Sequence, residues 1–199
     1  MSPDNAAGST AWIRVTAALM LGSLVAWNVP SVAFDWQPEL VWQQPWRQIT
    51  AAWVHWSPVH LGLNLLAAAV VGAYGWAARV TSGHAWAWLV AWPLTHLGLL
   101  FQPELAHYGG LSGVLHAGVA LVCLGLLRSG PGARRLVGAG VSAGLLAKLA
   151  SEQPFGPALQ HWAGWDIAMA PLAHTSGALA GCLCGAALWV LGRSSGRAR

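Results

Sequence analysis

The sequence predicts an all-α polytopic membrane protein: six spanning helices in one bundle, with both termini cytoplasmic. Three observations carry that prediction. The chain is 56% hydrophobic and only 8% charged, where soluble domains carry roughly 25% charged residues. So little charge cannot cover a globule in water, which makes a bilayer the expected solvent. Six apolar segments approach the roughly 20 residues a helix needs to cross a bilayer core. Lysines and arginines fall mainly on one side of the resulting topology. No strand-type alternation recurs, which excludes a β-barrel. The 199 residues allow one membrane domain, residues 1–199, and no separate soluble one.

The first segment covers about residues 11–29. Arg14 near its start and Ser31-Val32-Ala33 behind it also imitate a signal peptide with its cleavage site. Cleavage would leave five spans and break the charge pattern, so a retained helix is expected. The first outer loop follows, crowded with Trp36, Trp42, Trp46, Trp53 and Trp56. It should lie partly in the headgroup layer, either as a plain anchor or as a surface that admits substrate. Thr50 to Trp56 reads equally as loop or as helix entry. Later segments cover about 57–77, 85–101, 111–128, 136–150 and 167–191. The third to fifth are short, which is tolerable where the bilayer thins or a helix packs centrally. Trp12, Trp27, Trp76, Trp86, Trp162, Trp165 and Trp189 lie near segment ends, as in an aromatic belt.

Arg14, Arg79, Arg128, Arg134, Arg135, Arg193, Arg197 and Arg199 fall on one face, and Arg47 and Lys148 on the other. Five of the six acids, Asp35, Glu39, Glu104, Glu152 and Asp166, share the face poor in Lys and Arg. By the positive-inside rule, both termini are cytoplasmic. The net charge of +4 is therefore a topology signal and not a nucleic-acid surface. Cys123, Cys182 and Cys184 lie in apolar runs and read as small, reduced packing residues. Cys182 and Cys184 are two apart on a helix and face different ways, which argues against a redox or metal pair.

Four polar residues sit where lipid or apolar core is expected. Ser112 opens the fourth segment within His107-Tyr108-Gly109-Gly110-Leu111-Ser112-Gly113. His60 and Asn64 lie in the first two turns of the second segment. His174 lies about two turns into the sixth. With the second, fourth and sixth helices all running inward, the four share a depth of about 5–10 Å below the outer surface. Intramembrane polar groups are functional candidates by default. A serine nucleophile needs a base, and histidine suits neutral pH. His174 is the candidate base, reaching Ser112 from a facing helix. His60 and Asn64, four apart on one helix face, could donate to a tetrahedral oxyanion. The free first-turn N–H groups at Leu111 and Ser112 could add to them. No acid is expected at this depth, so the reading is a Ser–His dyad. Gly177, Gly181 and Gly185 form a ridge of small residues that would let the sixth helix touch Gly113 and Ala117 on the fourth. His116, one turn after Ser112, is a rival base, but it is better placed to support His174. His55 reads as structural, and His84, His96, His107 and His161 as ordinary residues near segment ends.

These residues resemble the motifs of the rhomboid family of intramembrane serine proteases. Trp46-Arg47 followed by His55-x4-His60-x3-Asn64 is similar to the family's loop and second-helix motifs. Gly110-x-Ser112-Gly113 is similar to its nucleophile motif, and Ala173-His174-x-x-Gly177-x3-Gly181 to its sixth-helix motif. The resemblance implies a six-helix rhomboid-like bundle in a bacterial inner membrane, with the active site facing the periplasm. It further implies a Ser112–His174 dyad and an oxyanion hole of His60, Asn64 and backbone N–H groups. Trp46 and Arg47 would steady the first loop. Where the family often has Tyr four residues after the serine, this chain has His116. The run from His107 to His116 looks like the rhombosortase branch, which implies surface proteins with a Gly-Gly-type tail as substrates. Membrane-anchored proteins would be the substrates, with no cofactor, no metal, no nucleic acid and no obligate protein partner. Three other readings stay open: a catalytically dead relative that binds membrane helices, a haem or metal protein using His60, His116 and His174, and a transporter. The haem or metal reading leaves Ser112, its glycines and Asn64 unexplained, and a transporter would place its polar groups near midplane, whereas these lie nearer one face.

Overall fold

A computed structural model describes residues 3–164 and 166–197. Trp165 and Arg199, and the side chains of Arg193 and Arg197, lie outside the described residues. The chain forms α1 (Pro3–Ala26), α2 (Arg47–Thr50), α3 (Pro58–Ala77), α4 (Ser82–Leu97), α5 (Ser112–Leu127), α6 (Ala133–Ser151) and α7 (Pro171–Arg197). The six long helices fall on the six apolar segments, and α2 is a single turn in the first loop. Among the described residues there are no strands, only isolated bridges between Trp36 and Tyr108 and between Gln160 and Met169.

Local chemistry sets the boundaries. Ser57 caps α3 by accepting from His60 N–H at 3.0 Å, and Pro58 fills the first helical position, where its missing N–H costs nothing. Thr81 and His84 exchange capping contacts at the start of α4. Pro171 opens α7, so residues 167–170, expected to be helical, are not. Thr50 to Trp56 resolves into the end of α2, a 3₁₀ turn at Ala51–Trp53 and an extended run to Ser57.

Ala7–Ala26, Pro58–Ala77 and Pro171–Gly192 are long and apolar enough to cross a membrane, while Ser112–Leu127 is apolar but shorter. The short helix is central. Val114, Leu115, Ala117, Leu121 and Val122 are among its many buried residues. A helix surrounded by other helices need not reach both headgroup layers. By contrast, Gly138 is the only residue of α6 buried against the bundle.

Glycine lets the central helices close up. A Cβ on Gly177 would collide with the Gly113 carbonyl, and one on Gly181 with the Ala117 carbonyl. The α5–α7 crossing is therefore backbone against backbone. The core corrects the expected aromatic belt. Trp12 is fully buried and stacks on Trp88 at 4.1 Å. Its indole N–H reaches Val71 O at 3.2 Å, and that of Trp88 reaches Val114 O at 2.8 Å. These bonds answer the polar end of each ring, so the apolar body can be buried. In the first loop Trp36 is fully buried and Trp53 is half-buried against Trp92. Only Trp42, Trp46 and Trp56 stay exposed there as a headgroup anchor would. Trp27, Trp76, Trp86, Trp162 and Trp189 do face outward.

Candidate active site

The segment that delivers Ser112 is held from two sides. Trp36 and Tyr108 pair as a bridge, with N–H to O distances of 2.8 and 2.9 Å. Gly110 N–H donates to Ala51 O at 2.9 Å. Gly110 has φ +133°, a backbone region open to glycine and strained for other residues. A Cβ there would also come within 2.8 Å of His60 Nε2. The chain then enters α5 with Leu111 at the N-cap and Ser112 as the first helical residue. At that point N–H groups have no partner within the helix.

The first loop is itself anchored by a buried charge. Arg47 Nη1 donates to Asp35 Oδ1 at 3.0 Å and to Asp35 O at 2.6 Å, and its Nε donates to Gln44 Oε1 at 2.7 Å. His107 Nδ1 lies 2.6 Å from the other Asp35 oxygen. One carboxylate thus ties the first loop to the strand-like run leading to Ser112. Trp46, beside Arg47, is half-exposed and contributes an outward indole.

Facing Ser112, α7 supplies His174. Because α7 begins at Pro171, His174 lies in its first turn and not two turns in. Its Nε2 is 3.0 Å from Ser112 Oγ. The bond spans 62 residues and is brought about by the glycine crossing, with Gly113 and Gly177 at the contact. His60 and Asn64 project from α3 towards Gly110. They line, with Ser112 and His174, a cavity of about 450 Å³. His55 stacks obliquely on His60, ring centres 4.7 Å apart, and its Nδ1 meets Trp53 O at 3.1 Å. Burial, opposed by that backbone bond, pushes the His55 imidazole down to about 4. His55 is thus neutral at physiological pH and acts as a prop for His60.

His116 lies flat against His174, centres 4.3 Å apart and planes 14° from parallel. Its Nδ1 donates to Ser112 O at 2.6 Å. The ring contacts Ser112 through the backbone carbonyl, while the Oγ contact belongs to His174.

The expectation that no acid reaches this depth is wrong. Glu152, just beyond α6, is buried, and its Oε2 lies 2.7 Å from His174 Nδ1. Its other oxygen accepts from Lys148 Nζ, one turn earlier on α6. Gln160 Nε2 holds the Glu152 backbone carbonyl at 2.8 Å. Burial pushes the Glu152 carboxyl up, and the His174 and Lys148 contacts together outweigh it, holding it at about 2. Charge counting alone assigns both residues to topology. The available signal was an acid four residues after a lysine at the end of the apolar run 136–147. Among the described residues, no group of three or more His, Cys, Asp or Glu is placed to hold a metal ion.

The model of the rhomboid domain matches residues 42–191, from the first loop to near the end of α7. The chain belongs to the rhomboid family. No curated protein matches it significantly. Rhomboid proteins are generally intramembrane serine proteases, with some inactive members, and act on membrane-protein substrates within the bilayer. Family membership and the apolar helices make the chain a multi-pass membrane protein. All four motif residues that the sequence singled out, His60, Asn64, Ser112 and His174, fall within the matched rhomboid domain and line one cavity.

Proposed function

We propose that this rhomboid protein is an active intramembrane serine endopeptidase with Ser112 as nucleophile and His174 as its base. The observation that carries the reading is the 3.0 Å approach of His174 Nε2 to Ser112 Oγ, inside the hydrogen-bonding range for proton transfer. His174 takes the Ser112 proton as Oγ attacks the scissile carbonyl. His60, Asn64 and the backbone N–H groups of Leu111 and Ser112 at the start of α5 donate to the oxyanion. His174 then protonates the leaving amine, and a water entering the cavity releases the acyl group. His116 and His55 back the two imidazoles, Gly110 and Gly113 give the close approach, and Gly177 and Gly181 hold α7 to α5.

Six spans with both termini cytoplasmic put this cavity near the periplasmic face of a bacterial inner membrane; the arginine bias supports that orientation. Substrates are membrane-anchored proteins. The scissile carbonyl of a helical substrate is hidden in its own i to i−4 bond, so small or helix-breaking residues near the cut are favoured. The run from His107 to His116 supports the rhombosortase branch and, with it, Gly-Gly-tail substrates. Co-expression of a candidate substrate with wild type, Ser112→Ala, His174→Ala and His116→Ala tests the assignment. Cleavage should vanish in the first two variants and persist at a reduced rate in the third. Unchanged cleavage in Ser112→Ala or His174→Ala would end the assignment.

A further inference from the structure

Lys148, Glu152 and His174 form a hydrogen-bonded chain running into the proposed dyad from behind. A base must present a lone pair to the serine and carry its proton on the other nitrogen. Two groups approach His174 Nδ1: Glu152 Oε2 at 2.7 Å and Lys148 Nζ at 3.4 Å. They demand opposite tautomers. An ammonium has only protons to give, so a bond from Lys148 would need a bare Nδ1 and a proton on Nε2, blocking the side that faces Ser112. A carboxylate only accepts, so Glu152 fixes the proton on Nδ1 and leaves the Nε2 lone pair towards Oγ. The Glu152 contact is much the shorter, and Lys148 is engaged by the other carboxylate oxygen.

We propose that Glu152 is a positioning residue that completes a Ser112–His174–Glu152 triad, with Lys148 tuning its charge. The inference rests on the protease reading. As Oγ bonds to the carbonyl carbon, the Ser112 proton moves to His174 Nε2 and the carbonyl electron pair moves onto oxygen. Collapse of that intermediate breaks the C–N bond, and the Nε2 proton leaves with the amine. Glu152 takes no proton at any point; its charge stabilises the imidazolium between the two transfers. The other groups facing His174 are His116, stacked on its ring, and Lys148, whose positive charge opposes the imidazolium. The carboxyl stays ionised throughout the working pH range.

The test is the second-order rate of labelling of the full-length detergent-purified protein by a fluorophosphonate probe, as a function of pH. Glu152→Gln keeps the shape and loses the charge. It should slow the plateau rate by up to about 10⁴-fold, as expected for loss of a triad carboxylate, and move the acid limb to lower pH. Glu152→Asp should recover part of the rate. Lys148→Met removes an opposing charge and should move the acid limb to higher pH. A lowered plateau with an unmoved limb in both variants would mean Glu152 is merely structural; an unchanged rate in Glu152→Gln would overturn the proposal outright. If Glu152→Gln does not fold, judged by thermal unfolding, the Glu152→Asp rate and the Lys148→Met limb decide. A wild type that never labels, or a Ser112→Ala variant that labels equally, would instead defeat the protease reading on which the triad stands.

Discussion

Gly177→Ala should disable the proposed protease without touching either member of the proposed Ser112–His174 pair. The added methyl would fall inside the carbonyl oxygen of Gly113. Nothing there can rotate away, because the obstacle is main chain. Restoring ordinary contact, about 3.5 Å for non-bonded heavy atoms, requires α7 and α5 to part by more than about 1 Å. That separation carries His174 with it, since His174 is three residues from Gly177 on the same helix. The 3.0 Å Ser112–His174 contact would then stretch to about 4 Å, beyond hydrogen-bonding reach. A misplacement of about 1 Å can cost ~10²-fold in rate, and overpacking typically costs about 1–3 kcal/mol in stability. The assay is fluorophosphonate labelling rate alongside thermal unfolding in detergent. Gly192→Ala is the matched control, since its Cβ would meet nothing within 4 Å. A Gly177→Ala protein that labels as fast as wild type would refute the claim that this crossing sets the catalytic distance.

Three further outcomes follow from the same geometry. Asn64→Ala should lower the turnover of a cleavable substrate by about 10²–10³-fold with little change in KM, the usual cost of losing one oxyanion donor. Arg47→Ala removes the buried guanidinium from Asp35 and leaves only His107 and Gln37 on that carboxylate, so thermal unfolding should report a loss of up to about 3–5 kcal/mol; a silent variant would mean the first loop is held elsewhere. His55 is depressed to about 4 in the folded protein, against about 6.5 when unfolded. Its contribution is therefore complete above about pH 6.5 and declines as pH falls, levelling off near 4, by up to about 3 kcal/mol. Unfolding measured from pH 7.5 to 4 should show that decline, and His55→Gln should make it shallower by the share that His55 contributes.

The positions of the six long helices were legible because a bilayer core demands length and hydropathy, and both are written in the chain. Their ends were less so. Hydropathy extended the last helix back to residue 167, whereas Pro171 starts it and residues before it pair across the Gln160–Met169 bridge. Apolar character could not say which tryptophans turn inward, because lipid and protein core reward an indole alike. Trp12 and Trp36 are buried for reasons that need a partner, Trp88 for one and the Tyr108 bridge for the other. His60, Asn64, Ser112 and His174 stood out because polarity is costly at membrane depth. Glu152 did not, because an acid at a helix end looks solvated until the fold, 22 residues later, sets His174 against it.

In the proposed mechanism Ser112 Oγ is a nucleophile because His174 draws its proton. Mass spectrometry of the fluorophosphonate-treated protein tests this most directly. One phosphonyl adduct is expected, on Ser112, present in wild type and lost in His174→Ala. An adduct on another residue, or one on Ser112 that forms equally well without His174, would contradict it.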